Sequence, residues 1–449
     1  MARDDDEVSL ISDISTLLVS DTFLSEDARK TKKHIRHIFK LGLACTLVIF
    51  FPISGCIQET ILKSYEEKYN IHISAFLAQS IQSISGAFAC LYVPAFLALA
   101  KPKPSFVIAG CIHLLYTASF ALPNAIAIYC ISGFLGFAGS LLWTTHGITV
   151  IHNSTKKTLS RNYSLFFIIF QISFLVSNGY IYVSYGSIDE HVNVTMLIMI
   201  ALGLLGVIIF PFISTPRPAA GEIAKPKEMI LGSVDILKSV DYWMLMPLTI
   251  YLGFEVALHL GVFPTAVSSL NRLGGNPHQL VGLMGLLTSI GKIVAGVSSI
   301  FLNDPSKNAF SGMLAHVIAM FLTFLYIPTE AITKDTWQIA YLEPSIPPLA
   351  IAAFLYGFGD VAMFTTGFTL LGLLFRGQTF ASAVAIFNFI TLGSSGVLFA
   401  VSGNLPISAI LGVCVLILLF GMPFLFKIDR RLKEDTQTNT DQLLNDEED

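Results

Sequence analysis

Charged residues are scarce in this sequence. Asp, Glu, Lys and Arg make up 13% of the 449 residues, whereas ordinary soluble domains carry about 25%. Hydrophobic residues account for 53% of the chain, and the mean hydropathy is +0.68. This composition argues against a soluble protein and predicts a polytopic membrane protein whose surface contacts the lipid bilayer.

Motifs for catalysis, nucleotide binding and metal binding are also missing. The sequence has no Gly-rich phosphate loop, no Ser/His/Asp arrangement and no paired-carboxylate hydrolase motif. Its six cysteines lie in or at the ends of apolar runs and not at metal-ligand spacing, so they read as small hydrophobic residues. Because the basic residues line a membrane face, nucleic acid is a poor partner. We predict that the chain is not an enzyme and uses no cofactor.

Long apolar runs dominate the remaining sequence. Twelve of them are near the ~20 residues that cross a bilayer. They lie at 37–58, 72–99, 105–122, 124–150, 162–185, 194–214, 242–265, 278–302, 308–328, 346–374, 379–402 and 405–426. The fold class expected is therefore an all-α membrane protein with twelve transmembrane helices.

A polar interruption at 215–241 divides the runs into six and six. The predicted organisation is a disordered cytosolic tail (1–36), an N-terminal six-helix half (37–214), a cytosolic linker (215–241), a C-terminal six-helix half (242–426) and an acidic cytosolic tail (427–449).

The two halves share a repeat about 220 positions apart. The first copy of one motif is Phe134, Leu135, Gly139, Thr145, Gly147 and Thr149, and the second is Phe354, Leu355, Gly359, Thr365, Gly367 and Thr369. Downstream, Ile169-Phe170-Gln171 recurs as Ile386-Phe387-Asn388. A long-period repeat in hydrophobic helices predicts two pseudo-symmetric bundles, which is the build of many secondary transporters.

The distribution of Lys and Arg predicts the orientation. With the N-terminus in the cytosol, 22 of the 27 Lys and Arg residues fall on the cytosolic side and four on the other, with Lys292 in mid-membrane. Cytosolic segments of membrane proteins carry such an excess of Lys and Arg. We therefore expect both termini to lie in the cytosol.

Three ionisable residues lie in the middle of apolar runs: Glu255 in span 7, Lys292 in span 8 and Asp360 in span 10. A charge inside the membrane is costly, so it usually faces a cavity or a partner. Lys292 could pair with Glu255 or with Asp360. The group could bind protons or a charged solute, form a structural salt bridge, or snorkel to the surface.

Other polar and aromatic residues within the spans have simpler interpretations. Four histidines (His113, His146, His259 and His316) read as hydrogen-bonded packing residues. His146 shares a helix face with Trp143. Trp143 either lines the cavity between the halves or packs against other aromatic residues. Arg161 precedes Asn162 at the cytosolic mouth of span 5, where the Arg either anchors the helix to headgroups or gates the mouth.

Sorting and glycosylation signals lie outside the spans. Two acidic-dileucine patterns occur in the N-terminal tail: Asp6, Leu10 and Ile11, then Asp13, Leu17 and Leu18. They favour delivery to endosomes or lysosomes, and the alternatives are a plasma-membrane protein and a disordered acidic tail with scattered Leu. Of three glycosylation sequons, only Asn193 falls on the non-cytosolic side and is a candidate site.

Several short motifs together resemble those of the uncoordinated-93-like family, a branch of the major facilitator superfamily. The residues that carry the resemblance are Trp143, Gly147, Arg161, Asn162, Gln171, Tyr251, Gly253, Glu255, Gly357, Gly359 and Asp360. The resemblance implies a major facilitator fold, with two halves around a central cavity. Some members of that family resemble accessory subunits of potassium channels, and others resemble escorts of membrane receptors. The resemblance therefore also implies a role of this kind for the chain.

Two functions remain open on this sequence. The chain could carry an unknown small solute through the central cavity, with Glu255, Lys292 and Asp360 as the coupling or binding groups. Alternatively it could be a non-transporting accessory protein that controls the trafficking or gating of a channel or receptor. The gating motif usual after span 2 is replaced by Ala100-Lys101-Pro102-Lys103-Pro104, and the equivalent loop after span 8 also lacks it. These losses weigh against ordinary alternating access.

Overall fold

A computed structural model describes residues 26–446 of the chain, with gaps at 53–57, 59–60, 63–64, 67, 123, 155–157, 185–191, 216–231, 233–234, 275, 303 and 376–377. Within these residues lie twelve helices of 18 residues or more. They are α1 (Glu26–Ile49), α2 (Ala75–Ala100), α3 (Pro102–Ser119), α4 (Ala125–His152), α5 (Leu159–Ser184), α6 (Val192–Ile209), α7 (Val240–Ser268), α8 (Pro277–Leu302), α9 (Pro305–Tyr326), α10 (Ile346–Leu374), α11 (Gln378–Ser402) and α12 (Ile407–Asp446).

The predicted all-α membrane fold is confirmed. Ten of the helices, all except α1 and α3, are long and apolar enough to cross a membrane by length and composition. The helices α1 and α3 complete the twelve predicted spans by their place in the bundle, because α1 packs on α5 and α6 and α3 packs on α4 and α6.

The ends of two helices differ from the sequence prediction. Helix α1 begins at Glu26 and ends at Ile49, so residues 26–36 are helical instead of belonging to a disordered tail. Its first turns are polar, so hydrophobicity does not mark them as part of the helix. Helix α12 continues through most of the predicted acidic tail to Asp446.

Local signals in the sequence set several helix starts. Ser74 and Asn124 each accept a hydrogen bond from the backbone N–H three residues later, at 3.2 and 3.0 Å, and so cap α2 and α4. Asp304 caps α9 in the same way, followed by Pro305 in the first turn. Lys101 alone joins α2 to α3, and its φ of 65° lies in the left-handed region.

The two halves pack in equivalent ways. In the N-terminal half α2 contacts α4, α3 contacts α4, and α1 contacts α5 and α6. In the C-terminal half the helices six positions later make the same pairs: α8 with α10, α9 with α10, and α7 with α11 and α12. The halves meet through α2 with α11 and α5 with α8, two pairs that exchange under the same relation. The described helices thus form a two-fold pseudo-symmetric bundle.

Candidate functional site

The three charged residues predicted within the membrane lie close together in the C-terminal half. Glu255 on α7, Lys292 on α8 and Asp360 on α10 have side chains that are 0%, 4% and 10% exposed. Lys292 Nζ lies 2.8 Å from Asp360 Oδ2, so Lys292 pairs with Asp360 and not with Glu255. An ion pair this deep in the protein needs further polar contacts to offset its loss of water.

Two histidines lie beside Glu255, the third member of the group. His259 Nδ1 lies 2.8 Å from Glu255 Oε1, and His316 Nε2 on α9 lies 3.3 Å from the same oxygen. Tyr251 OH lies 2.6 Å from His316 Nδ1 on the other side of the ring. The two histidines are therefore part of a polar cluster, which we define as Tyr251, Glu255, His259, Lys292, His316 and Asp360. From the sequence alone, both histidines are expected to be hydrogen-bonded packing residues.

A sequence signal existed for one of these histidines. His259 follows Glu255 by four residues, which places the two side chains on one helix face. His316 carries no comparable signal, because its contact with Glu255 depends on how α9 packs beside α7.

The polar cluster is not fully hydrogen-bonded. Among the described residues, neither carboxylate oxygen of Glu255 has a hydrogen bond of good geometry, and His259 Nε2 has none. His259 Nδ1 also lies 2.9 Å from the backbone oxygen of Glu255, and His316 Nε2 lies 3.1 Å from the backbone oxygen of Tyr356. The short distances to Glu255 thus lack hydrogen-bond alignment. Buried polar atoms are normally hydrogen-bonded, so the unsatisfied atoms of this cluster are exceptions that need an explanation.

An irregular turn in α7 holds His259. Residues Leu258–Val262 form a π-helical turn in which the Phe263 N–H donates to the oxygen of Leu258, five residues back. Pro264 follows directly, has no N–H, and would press its ring against the carbonyl four residues earlier in a regular α-helix. We attribute the wider turn to this proline. Such turns are frequent at functional sites.

The polar cluster borders the N-terminal half. Lys292 Nζ lies 4.4 Å from the centre of the Phe174 ring on α5, which is within the range of a cation–π contact. The α5–α8 crossing is close because α8 presents glycines there, with Gly285 against Asn178 and Gly282 against the Tyr182 backbone. Movement of one half against the other would therefore change the contacts of Lys292.

Three atoms of the polar cluster could bind one metal ion. Glu255, His259 and Asp360 each offer one donor atom, and these atoms lie within 4.8 Å of one another. The donors come from two helices that are far apart in the sequence. For that reason the spacing of residues in the sequence does not reveal this set.

Trp143 and His146 lie elsewhere, within the N-terminal half. The His146 ring stacks on Phe166 with centroids 4.0 Å apart, and the Trp143 ring meets Phe170 edge-on at 5.2 Å. Cys45 and Ile49 help to line the narrow crevice beside them, which has no room for a water molecule. Aromatic packing accounts for most of this arrangement. Among the described residues, His146 Nε2 has no hydrogen-bond partner.

Asn162 stabilises the connection between α4 and α5. Its side-chain N–H donates to Asn153 O at 3.1 Å and to Ser154 Oγ at 2.8 Å, while Asn153 donates onward to Ser214 O. Arg161 is partly buried in the first turn of α5. Gln171 is buried on α5, and its Oε1 has no hydrogen-bond partner in the part of the chain that the structure describes.

The glycines of the family motifs lie mostly at helix crossings. A methyl group on Gly253 would collide with α11, one on Gly357 with the Thr288 carbonyl of α8, and one on Gly359 with the His316 ring. These three positions thus permit close packing around the polar cluster. Gly147 is less crowded, with the Tyr163 hydroxyl 3.7 Å from the equivalent methyl position.

Two sets of predicted sites lie beyond what the structure describes. The acidic-dileucine residues Asp6, Leu10, Ile11, Asp13, Leu17 and Leu18 fall outside the described residues. Asn193 is in the first turn of α6, and its side chain is not described.

Solved structures share the fold of this chain. A fucose:proton symporter of E. coli, FucP, superimposes with a TM-score of 0.60, at 14% identity over 88% of this chain and 99% of that one. The nucleoside transporter NupG gives 0.61, at 14% identity over 87% and 99%. A POT family transporter in complex with 5-aminolevulinic acid gives 0.62, at 11% identity over 88% and 96%. This likeness confirms the major facilitator fold.

Sequence comparison identifies the family. The UNC93-like protein MFSD11 of Xenopus laevis is 25% identical over 424 residues, covering 87% of this chain and 94% of that protein. Its counterpart in Xenopus tropicalis is 24% identical over 452 residues, covering 93% and 100%. Residues 69–426 match the family model described as "Ion channel regulatory protein UNC-93". The chain is therefore a member of the UNC-93 family, as its motifs predicted.

Proposed function

We propose that this chain is a secondary carrier of a small solute, and that the polar cluster binds the solute's charged group or a coupling ion. The observation that carries the proposal is a set of buried ionisable side chains with unsatisfied atoms, next to the contact between α5 and α8. Buried charge in a membrane protein is expensive and usually marks a transport pathway. Transporters of repeat architecture bind at the interface of their repeats.

The arrangement of helices supports such a carrier. The contacts α2–α11 and α5–α8 exchange under the pseudo-symmetry. In a carrier, one half would rock on the other about the axis of that symmetry. Lys292 links Asp360 in the C-terminal half to Phe174 in the N-terminal half. Binding that moves Lys292 would therefore favour one arrangement of the halves, which is the differential contact that a coupled transition needs.

Uptake into vesicles tests the proposal. The purified chain, reconstituted in lipid vesicles, would be exposed to a mixture of small charged metabolites, and the vesicle contents would be read by mass spectrometry. We expect at least one solute to accumulate with the native chain and the Glu255→Gln variant to lose that accumulation. Glu330→Gln is the matched control, because Glu330 pairs with Lys334 in a loop away from the polar cluster.

Two results would contradict the carrier. If vesicles with the native chain take up no more of any solute than empty vesicles do, the chain transports none of these solutes. Uptake that is unchanged in folded Glu255→Gln would show that the polar cluster has no part in it.

An accessory role is the second candidate, favoured by the description of the matching family model as an ion channel regulator. The single-residue link at Lys101, where the superfamily's gating loop is expected, also suits a protein that does not alternate. Purification from mild detergent with an Asp360→Asn control tests it. A channel or receptor that copurifies stoichiometrically with both forms would support this role, and a lone chain would favour the carrier.

We also propose that both termini lie in the cytosol and that the chain resides in endosomes or lysosomes. The Lys and Arg distribution supports cytosolic termini, and the acidic-dileucine patterns support endosomes or lysosomes over the plasma membrane. Asn193 would then face the lumen. A glycosidase-sensitive gel shift that is lost in Asn193→Gln would support this orientation, and modification of an accessible N-terminal tag only from the lumenal side would contradict it.

A further inference from the structure

The polar cluster contains a mixed set of metal donors. Glu255 and Asp360 offer carboxylate oxygens and His259 offers an imidazole nitrogen, all within 4.8 Å of one another. Donors bound to one metal at ~2.1 Å lie at most about 4.2 Å apart, so small side-chain rotations would bring them into contact with an ion. His259 Nε2 is already 3.9 Å from Asp360 Oδ2.

Unsatisfied atoms point to the same place. The side chains of Glu255 and His259 are 0% and 1% exposed, yet both Glu255 carboxylate oxygens and His259 Nε2 lack a hydrogen-bond partner among the described residues. His259 Nδ1 and His316 Nε2 approach Glu255 Oε1 to 2.8 and 3.3 Å without hydrogen-bond alignment, so the buried carboxylate is poorly compensated for its loss of water. An ion held here would bind one carboxylate oxygen of Glu255 and one ring nitrogen of His259.

The charges of the polar cluster leave room for a cation. Its two carboxylates face one ammonium, that of Lys292, which lies 2.8 Å from Asp360 Oδ2. A divalent ion bound to Asp360 would compete with Lys292 for the same oxygen. The released ammonium would still have the Phe174 ring beside it on α5.

We propose that Glu255, His259 and Asp360 bind a divalent transition-metal ion in competition with Lys292. Imidazole donors suit Zn²⁺ and Fe²⁺ and carboxylates suit Mn²⁺, so the mixed set selects ions from Mn²⁺ to Zn²⁺ over Mg²⁺ and Ca²⁺. The site lies in the polar cluster on which the proposed carrier function rests, but metal binding requires no transport. If the chain is a carrier, the metal is its cargo or its coupling ion.

Titration of the full chain with Mn²⁺, followed by the electron paramagnetic resonance signal of the free ion, tests the site. The protein would be purified in detergent on a tag without histidine. Mn²⁺ prefers oxygen and imidazole to thiolate, so the cysteines of the chain do not interfere. We expect one bound ion per chain, displaced by Zn²⁺ and not by equimolar Mg²⁺.

Four variants give the expected pattern. Asp360→Asn and His259→Gln should each lose the bound ion. Lys292→Gln removes the competitor and should bind Mn²⁺ at least about tenfold more tightly, the scale on which surrounding groups alter metal affinity. His113→Gln is the matched control, because His113 is a buried histidine on α3 that bonds to its own helix at Ala109 O.

The gain in Lys292→Gln separates a metal site from a structural role, since loss of a structural ion pair would not tighten metal binding. Native chain that binds neither Mn²⁺ nor Zn²⁺, or Lys292→Gln that binds no more tightly than native, would overturn the proposal. Solute uptake without metal binding would refute only the metal site. If the chain binds the metal but takes up neither a metabolite nor Mn²⁺ itself, only the carrier proposal would be refuted.

Discussion

Two buried tyrosines on α7 differ in their hydrogen bonding. The Tyr251 hydroxyl lies 2.6 Å from His316 Nδ1, whereas the Tyr242 hydroxyl has no partner among the described residues. Removing one partner of a buried hydrogen bond leaves the other unsatisfied, at a cost of about 1–3 kcal/mol. We therefore expect Tyr251→Phe to lower the thermal unfolding temperature in detergent.

Tyr242→Phe is the matched variant, since it removes a buried hydroxyl that bonds to nothing described. Its unfolding temperature should equal or exceed that of the native chain. If the two variants were equally destabilised, the Tyr251–His316 contact would have no special stabilising role.

The residues of the polar cluster were predictable to different degrees. Glu255, Lys292 and Asp360 stand out in a sequence because an ionisable residue inside an apolar run is unusual. Which carboxylate Lys292 would contact was left open, because periodicity gives the face of a helix and not the neighbour that it meets. His316 could not be assigned for the same reason.

At the scale of the helix, close crossings depend on glycine at chosen positions. A side chain on Gly357 of α10 would meet the Thr288 carbonyl of α8, which cannot rotate away, whereas the methyl position on Gly139 of α4 meets nothing within 4 Å. Forcing extra atoms into a packed contact costs about 1–3 kcal/mol or more. Gly357→Ala should lower the unfolding temperature and the yield of folded chain.

Gly139→Ala provides the contrast, because alanine in an open helical position is favoured over glycine by up to ~1 kcal/mol. We expect the unfolding temperature of this variant to match or exceed the native value. A neutral Gly357→Ala would mean that α8 and α10 can separate without loss.

The start of α9 is tied to the extension of α12 by charge. The carboxylate of Asp304 accepts from the Lys307 N–H at 3.1 Å and from Lys433 Nζ at 3.0 Å, and Lys433 also contacts Asp429 at 2.6 Å. Partial burial raises the pKa of Asp304, but these contacts outweigh it and hold the pKa below its usual value of 3.8.

This shift predicts how stability responds to acid. A carboxyl group whose pKa is lowered by folding stabilises the fold above its unfolded pKa, here 3.8, and that contribution is lost as the pH falls through the lowered folded value. Asp304→Asn should be less stable than native at neutral pH and lose less stability below about pH 4. Thermal unfolding across pH checks this, with the exposed loop residue Asp335→Asn as the control that should retain the native profile.

Helix positions were predictable where hydrophobicity marks them, and their ends were not. The apolar run at 346–374 coincides with α10, because that helix is apolar at both of its ends. Helix α1 starts eleven residues before its predicted span at 37, since polar turns at a helix end carry no hydropathy signal. The π-helical turn was not foreseen either, although Pro264 marks its place.

At the scale of the whole molecule, the halves match in packing and differ in chemistry. The position that corresponds to Asp360 in the repeat is Ser140, which donates to Gly86 O of α2 at 2.7 Å. The crossing of α2 with α4 thus holds a neutral hydrogen bond where that of α8 with α10 holds an ion pair. The repeat could be read from the sequence, but this division of charge required the contacts.

Each half also has its own hydrophobic core. One core lies wholly within residues 236–428, and two others lie within residues 38–213. Because these cores do not share buried residues, we expect fragments 1–225 and 226–449, expressed together, to fold and copurify. Solute uptake or Mn²⁺ binding by the paired fragments would check that they assemble correctly.

The contact of α5 with α8 provides the control for this experiment. Gly285→Leu would place a large side chain against Asn178 and should abolish copurification while leaving each fragment in the membrane. Fragments that fail to associate even without this change would show that the linker is needed for assembly.

The π-helical turn at Leu258–Val262 has a consequence for alignment with other members of the fold. Bonding from i to i+5 takes about one more residue into the turn than regular α-helical bonding. A relative with a regular seventh helix would therefore match this chain up to Ala257 and be one residue shorter by Phe263. An ungapped alignment would assign every residue from Phe263 to Ser268 to a face about 100° away from its true one.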